Sequence, residues 1–421
     1  MLLSLAQPWT RIVDTNALNQ DLLKREKTLK VLRPVMETGK TQLRLLATSH
    51  AMNHVYQLLT PVVLPEITRE YGDFNAGLFL LTFVLSYSLL PAVSGYLSRY
   101  FGRRNLLTVG FVTTALSFLA IGLTGNVVFL SVLFFVAGVG GSTYHPFGSP
   151  ILAETYPTTR GRTLGLHQTG GAIGSFVGPF VTGILVLGFG WRNAFMLLAV
   201  PGLVIAAALW FLVSPERQSD KNVQQEKRRI RIADLKTYAP AMTLIIAAFI
   251  YVLGLRGTDD FANQYFTYGR GIQIAEASFL FSMLKVAGLF SAPVCGKLSD
   301  SYGRKKMLVI LVVVESLSLV AITMSPAVLL AVPCIIFGFA SFGLLAVGEA
   351  LLADVTPEKQ RATIFGINLT VSFSPSIFLV PVLFGLVPSY GFNSGFILLS
   401  ALMPLSIPLL LMVKTKPSQR S

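Results

Sequence analysis

The residues best equipped for chemistry lie at helical spacing inside long apolar runs. His50, Asn53, His54 and Gln57 follow i, i+3, i+4, i+7 and so share one helix face. Arg256, Asp259, Asp260 and Asn263 repeat that spacing in the second part of the chain. All four histidines, His50, His54, His145 and His167, belong to the first part, with Gln168 beside the last, while Lys285 adds a cation to the second. A polar group in hydrocarbon is costly unless it faces a cavity or a partner, so each is a candidate for binding a solute or coupling an ion. Imidazole suits proton transfer because its unperturbed pKa, about 6.5, lies near cellular pH. The same rings could sit neutral against backbone carbonyls, or ligate a transition metal. Without cysteine or carboxylate partners in the helices of that part, no metal is assigned. Arg256 can pair with Asp259 or Asp260, leaving one carboxylate to titrate or meet a solute, and Lys285 can attract an anion. Glu315 reads as a local hydrogen-bond partner, and Glu349 as a gate carboxylate or an interfacial one.

These groups need elements to hold them, and the composition says which kind. Of 421 residues 53% are apolar and 13% charged, and the mean hydropathy is +0.64. A soluble domain of this length needs more charge to cover its surface. Twelve apolar runs are long enough to cross about 30 Å of hydrocarbon at about 1.5 Å per residue. They fall near 42–64, 76–97, 105–124, 127–152, 163–188, 193–213, 241–265, 275–297, 306–323, 327–352, 362–387 and 392–413. Lipid offers the backbone no hydrogen bonds, so the runs must be helices, and the fold class is all-α. On this register His50, His145 and His167 fall in one half of the membrane thickness, and Pro146 should kink the fourth run beside His145.

The formal charge of +14 invites a nucleic-acid reading, which its placement excludes. With the amino terminus inside, 29 of the 34 basic residues fall on inner segments, from the eight up to Arg44 to Lys414, Lys416 and Arg420 in the tail. Arg69, Arg192 and Arg270 lie outside, and Arg256 and Lys285 within runs. This is the positive-inside pattern, with both termini cytoplasmic and the cell membrane as the expected location. The basic excess also favours contact with anionic lipid. No secretory signal precedes the first run. Met36 offers an alternative start, which would leave residues 1–35 outside the native protein. Cys295 and Cys334 fall in predicted helices and imply no disulfide framework.

The chain repeats itself at an offset of 201. Gly95, Arg99, Gly102, Arg103 and Arg104 align with Gly296, Asp300, Gly303, Arg304 and Lys305, each set between the second and third runs of its half. Arg160 falls on Arg361, Gly165 on Gly366, Gly190 on Gly391 and Phe195 on Phe396. The expected organisation is a leader over 1–41, six-helix bundles over 42–213 and 241–413, a charged linker over 214–240 and a tail over 414–421. Each loop motif reads as a tight inner turn in which glycine supplies positive φ and close backbone approach.

This paired loop motif resembles the hallmark of the major facilitator superfamily, and the resemblance covers residues from about 42 to 413. It implies secondary transport by alternating access, with two six-helix halves rocking about a central cavity. It also implies an acidic latch at the inner gate, which Asp300 matches and Arg99 does not. Gly165, Gly174, Gly178, Pro179 and Gly183 fit the glycine and proline spacing of antiporters in the family, with Thr182 replacing one glycine. The fourth-helix arginine common in proton-coupled exporters is Phe134 here. The stretches Gly138–Pro146 and His167–Pro179 resemble the fosmidomycin-resistance-like branch. That similarity implies proton-coupled efflux of a small polar or anionic compound, with uptake of an organic acid as the alternative and a non-transporting sensor as a remote one. The expected partners are a small-molecule substrate and the bilayer, with no nucleic acid, and the working unit is a monomer. The energy source is a proton or other ion gradient, with no cofactor. No nucleophile–base pair or phosphate-cradling loop argues for an enzyme.

Overall fold

The structure, a computed structural model, describes residues 15–213, 235–357 and 360–414. Most of the expected linker, and the parts of the expected leader and tail at residues 1–14 and 415–421, lie outside the described residues. The described residues are almost all helical, with no strand among them. Helix α1 runs from Thr15 to Leu89, and its apolar stretch Gly39–Leu89 is 51 residues long. Straight, that stretch would be more than twice the thickness of a bilayer. Gly72, at φ 79° and ψ 164°, breaks it into two crossings, so the count of twelve holds. The helical backbone from Thr15 shows that the expected leader does not end in a break near residue 41.

The second crossing continues through α2 (Pro91–Phe101), and α3 (Arg103–Leu123) follows. The fourth crossing is two helices in line, α4 (Val127–Gly141) and α5 (Tyr144–Thr155). Proline has no N–H to offer the carbonyl four residues back, and the break at Ser142–Thr143 lies one turn before Pro146. Helices α6 (Arg160–Phe189) and α7 (Trp191–Leu212) complete the first half. The second half comprises α8 (Leu235–Gln264) with a π-helical turn over Tyr265–Gly269, α9 (Ile274–Val286), α10 (Gly288–Tyr302), α11 (Arg304–Met324) and α12 (Ala331–Val355). It ends with α13 (Arg361–Phe373), α14 (Pro375–Tyr390), α15 (Asn393–Leu402) and α16 (Ser406–Met412). The expected linker extended to residue 240, but α8 starts at Leu235 and Tyr238 is already buried.

The repeat is visible in the backbone. Every positive φ among the described residues belongs to glycine: Gly72, Gly102 and Gly190 in one half, Gly271, Gly303 and Gly391 in the other. Each sits where one helix turns back into the next, a conformation that side chains with a Cβ resist. The basic residues after the loop glycines also act alike. Arg103 makes a two-pronged pair with Glu154 at 2.8 and 2.7 Å, and Arg304 pairs with Asp354 at 2.7 Å. Arg104 donates to the Val213 carbonyl at 3.5 Å, and Lys305 to that of Val413 at 3.0 Å. The motif therefore ties the third crossing of each half to the ends of its fourth and sixth. Asp300 lies 3.3 Å from Arg304 across the Gly303 turn, and Arg99 stacks on Tyr96 at 5.8 Å. Arg160 donates to Ala153 O at 3.2 Å, and Arg361 is exposed. Gly95 and Gly296 face open space.

Each half has its own apolar core, one including Tyr56, Phe79, Phe118, Phe134 and Phe195, the other Phe261, Phe281, Phe337 and Phe396. The halves are clasped at the end that holds Gly72 and Gly190. Asn263 donates to Val62 O at 2.5 Å, Gln264 to Thr68 Oγ1 at 2.7 Å, and Tyr268 to Pro65 O at 2.8 Å. At the same end Gly183 of α6 packs on Ser278 and Ala275 of α9. Nearer the middle, Ser88 donates to Phe373 O at 2.8 Å.

Small residues let α6 lie on α1. Gly170 and Gly174 rest against the backbone of Ala47 and Ala51, and a Cβ at Gly178 would come within 3.1 Å of Val55 Cα. Pro179 is buried within an unbroken α6, whereas Gly165 is exposed with nothing within 4 Å. Gly174→Val should therefore cost about 1–3 kcal/mol by overpacking. The check is the unfolding midpoint of detergent-purified protein, where Gly165→Val should stay within about 0.5 kcal/mol of wild type.

Candidate functional site

The helix-1 stripe enters a polar cluster built by three crossings. His50 stacks on His167 at 4.3 Å between ring centroids and on Tyr144 at 5.2 Å. His54 lies 4.9 Å from His50 and 5.5 Å from His145, and His145 lies 5.5 Å from His50. His50 Nδ1 is 3.0 Å from the carbonyl oxygen of His167, and the Nε2 of His167 is 2.9 Å from the Tyr144 hydroxyl. That hydroxyl also donates to Leu46 O. Asn53 donates to Tyr87 Oη at 2.9 Å and approaches His145 Nε2 at 3.5 Å, and Tyr87 reaches Gln57 at 3.5 Å.

Glycine makes room for this cluster. A Cβ at Gly171 would come within 2.6 Å of His50 Cε1, and one at Gly141 within 3.0 Å of the Tyr87 ring. These positions belong to the two stretches singled out in the sequence, so part of their glycine content serves ring packing. Gln168, in contrast, is exposed.

The second-half charges meet from two helices. Lys285 of α9 is buried and bonds directly to Asp259 of α8. Arg256 lies 3.7 Å from the other Asp259 oxygen, donates from Nε to Ser372 O at 3.0 Å, and covers the Phe373 ring at 4.2 Å. Asp259 thus has two cations. Asp260 is buried, the Ser376 hydroxyl lies beside it, and its Oδ2 has no partner. Lys285, expected as an anion contact, is taken up by Asp259, and Asn263 serves the clasp. Glu315 is fully buried, accepts from Ser341 at 2.5 Å and keeps Oε2 unpartnered.

The two clusters face each other across a cleft between the halves. Gln57, Tyr87 and Ser88 line it from one side, and Arg256, Asp259, Asp260, Phe373 and Ser376 from the other. Phe373 touches both chemistries, lying 5.3 Å from His145 and 5.7 Å from Tyr87 while holding Arg256 on its ring. Tyr87, Tyr144, Phe373 and Ser376 were not picked out by sequence. Only the neighbour of His145 carried a signal, since Tyr144 lies in the same Gly138–Pro146 stretch.

The Major Facilitator Superfamily model matches residues 46–273 and again 244–421. The chain belongs to this superfamily. Among relatives, the fosmidomycin resistance protein of Escherichia coli (strain K12) is 23% identical over 264 residues, which is 62% of this chain and 65% of that protein. The chain thus spans just under two thirds of that relative. The multidrug resistance protein MdtG of Salmonella arizonae is 25% identical over 296 residues, covering 69% and 72%. A bacterial homolog of the human lysosomal transporter Spinster, in an inward-facing and unoccupied conformation, superposes with a TM-score of 0.69 at 15% identity over 89% of this chain and 95% of that one. This superfamily member is therefore a multi-pass membrane protein with the superfamily's two-half fold.

In this fold the buried Lys285–Asp259 pair gives a sharp test. Removing one partner of a buried pair leaves an uncompensated charge, at a cost of about 3–5 kcal/mol. Asp259→Asn should lower stability on that scale, because Lys285 then keeps no ion-pair partner, and Lys285→Met with Asp259→Asn should recover most of it. Unfolding of Lys285→Met, Asp259→Asn and the double variant in one detergent measures the coupling.

Proposed function

We propose that the chain exports small polar compounds across the cell membrane in exchange for protons. Both termini lie in the cytoplasm, a single chain is the working unit, and no cofactor is needed beyond the gradient. The observation that carries this reading is the cleft in which Arg256 and Asp260, with its unpartnered Oδ2, face Gln57 and Tyr87 across the two halves. A solute with an anionic group for Arg256 and a donor for Asp260 would bind while Asp260 is ionised. Protonation of Asp260 would remove its charge and turn one oxygen into a donor, weakening its hold on the solute and releasing it. Solute and proton then exclude each other, which is the requirement for antiport. Similarity to the fosmidomycin resistance protein and MdtG supports the outward direction. The clasp formed by Asn263, Gln264 and Tyr268 supports a state opening toward the end where the basic loops lie, as the positive-inside pattern makes that end cytoplasmic.

A second reading rests on charge balance. With Asp260 ionised, Arg256 and Lys285 are matched by Asp259 and Asp260. A proton on Asp260 leaves one positive charge, so a simple anion would bind together with the proton, giving symport.

Proteoliposomes with an imposed pH gradient separate the two. Antiport requires solute to move against the proton flow, symport along it. In either case Asp260→Asn should reduce gradient-driven flux at least about 100-fold, the low end of what a positioned proton-transfer group contributes. Solute exchange without a gradient should persist in this variant under symport, and fall with the gradient-driven flux under antiport. Undiminished gradient-driven flux would remove Asp260 from the coupling.

A further inference from the structure

We propose that His50, His54 and His145 bind one divalent transition-metal ion, such as Zn2+ or Co2+, in the first half, beside the cleft and next to Phe373. One ligand nitrogen from each ring lies within 4.8 Å of the other two, and the three rings come from two crossings that pack on each other. The spacing at i and i+4 on α1 places His50 and His54 one above the other, and the break before Pro146 turns His145 toward them.

The hydrogen bonding of His50 suits a ligand. The His167 carbonyl can only accept, so the proton of His50 is on Nδ1, and Nε2 presents its lone pair. A metal-bound imidazole is held in this way, with its other ring nitrogen donating to a carbonyl. Gly171, where a Cβ would come within 2.8 Å of His50 Nε2, leaves that ring its place. His54 and His145 are half-buried, so their torsions can close the set to about 3.4 Å, the spacing fixed by bonds of about 2.05 Å at a tetrahedral angle.

Imidazole-only ligation favours zinc, cobalt, nickel or copper over magnesium or calcium, which take oxygen ligands. Three protein ligands leave a fourth position open. Here that side lies toward Phe373, whose ring carries the Arg256 guanidinium. A dication next to Arg256 favours an anion as its fourth ligand. The inference does not rest on the transport reading, because the ion is held by side chains of one half and its binding can be read without flux.

The test uses the full chain, purified through a tag without histidine, stripped with EDTA and titrated with Co2+ in chloride buffer. One Co2+ per chain should bind with the intense visible absorption of four-coordinate cobalt, be displaced by Zn2+ and ignore Mg2+. His54→Ala and His145→Ala should each abolish the band or weaken binding beyond the roughly 10- to 100-fold that changes around a metal ligand cost. Asp260→Asn should keep it. Absence of the band in wild type, or its persistence in both histidine variants, would overturn the proposal. X-ray absorption of the Zn2+-loaded wild type decides the matter if those variants do not fold. The chain's four histidines all lie in this cluster, so imidazole scatterers at about 2.0 Å can come from nowhere else, and a shell of oxygen alone would also overturn it.

Discussion

The low dielectric of the membrane interior is the constraint on which this molecule is built. An ionised side chain there needs a partner, and the second half meets the requirement unevenly. Asp259 has both Lys285 and Arg256, whereas Asp260, the next residue, has a serine hydroxyl and an unpartnered oxygen. Consecutive residues on a helix point about 100° apart, so one carboxylate can face the α9 lysine while the other faces the cleft. That division separates a structural charge pair from a group placed to respond to solute or proton.

Polar groups on the first-half wall satisfy the same constraint without charge. His50 and His167 bond through a backbone carbonyl, Asn53 bonds to Tyr87, and Tyr144 joins His167 to the backbone of α1. Phe373, at the break between α13 and α14, is the apolar partition between the imidazoles and Arg256. Motion of the halves would change what Phe373 separates, because Ser88 of the first half holds its carbonyl while Arg256 of the second holds its ring.

The scaffold was readable because its causes are local. Hydrocarbon thickness sets run length, and glycine alone accepts the positive φ of the turns, so Gly102 with Gly303 and Gly190 with Gly391 recur at the offset seen in the sequence. Where local cause was weak the reading slipped. The onset of α8 at Leu235 lies in charged sequence that hydropathy assigns to a loop. The site was readable in part. Helical spacing identified the histidine face and Arg256 with its two aspartates. Spacing along one helix cannot say which partner a neighbouring helix supplies, so the capture of Lys285 by Asp259, the recruitment of Asn263 to the clasp and the convergence of three histidines emerged only from packing. Phe373, an apolar residue in an apolar run, had nothing to mark it.

The central claim is that Asp260, and not the paired Asp259, is the carboxylate that exchanges a proton with the cleft. Infrared difference spectra of the reconstituted protein between alkaline and acidic buffer measure this directly, through the carbonyl stretch that appears when a buried carboxylate becomes an acid. A band that vanishes in Asp260→Asn and survives in Glu315→Gln is the predicted result. A band untouched by Asp260→Asn would contradict the account.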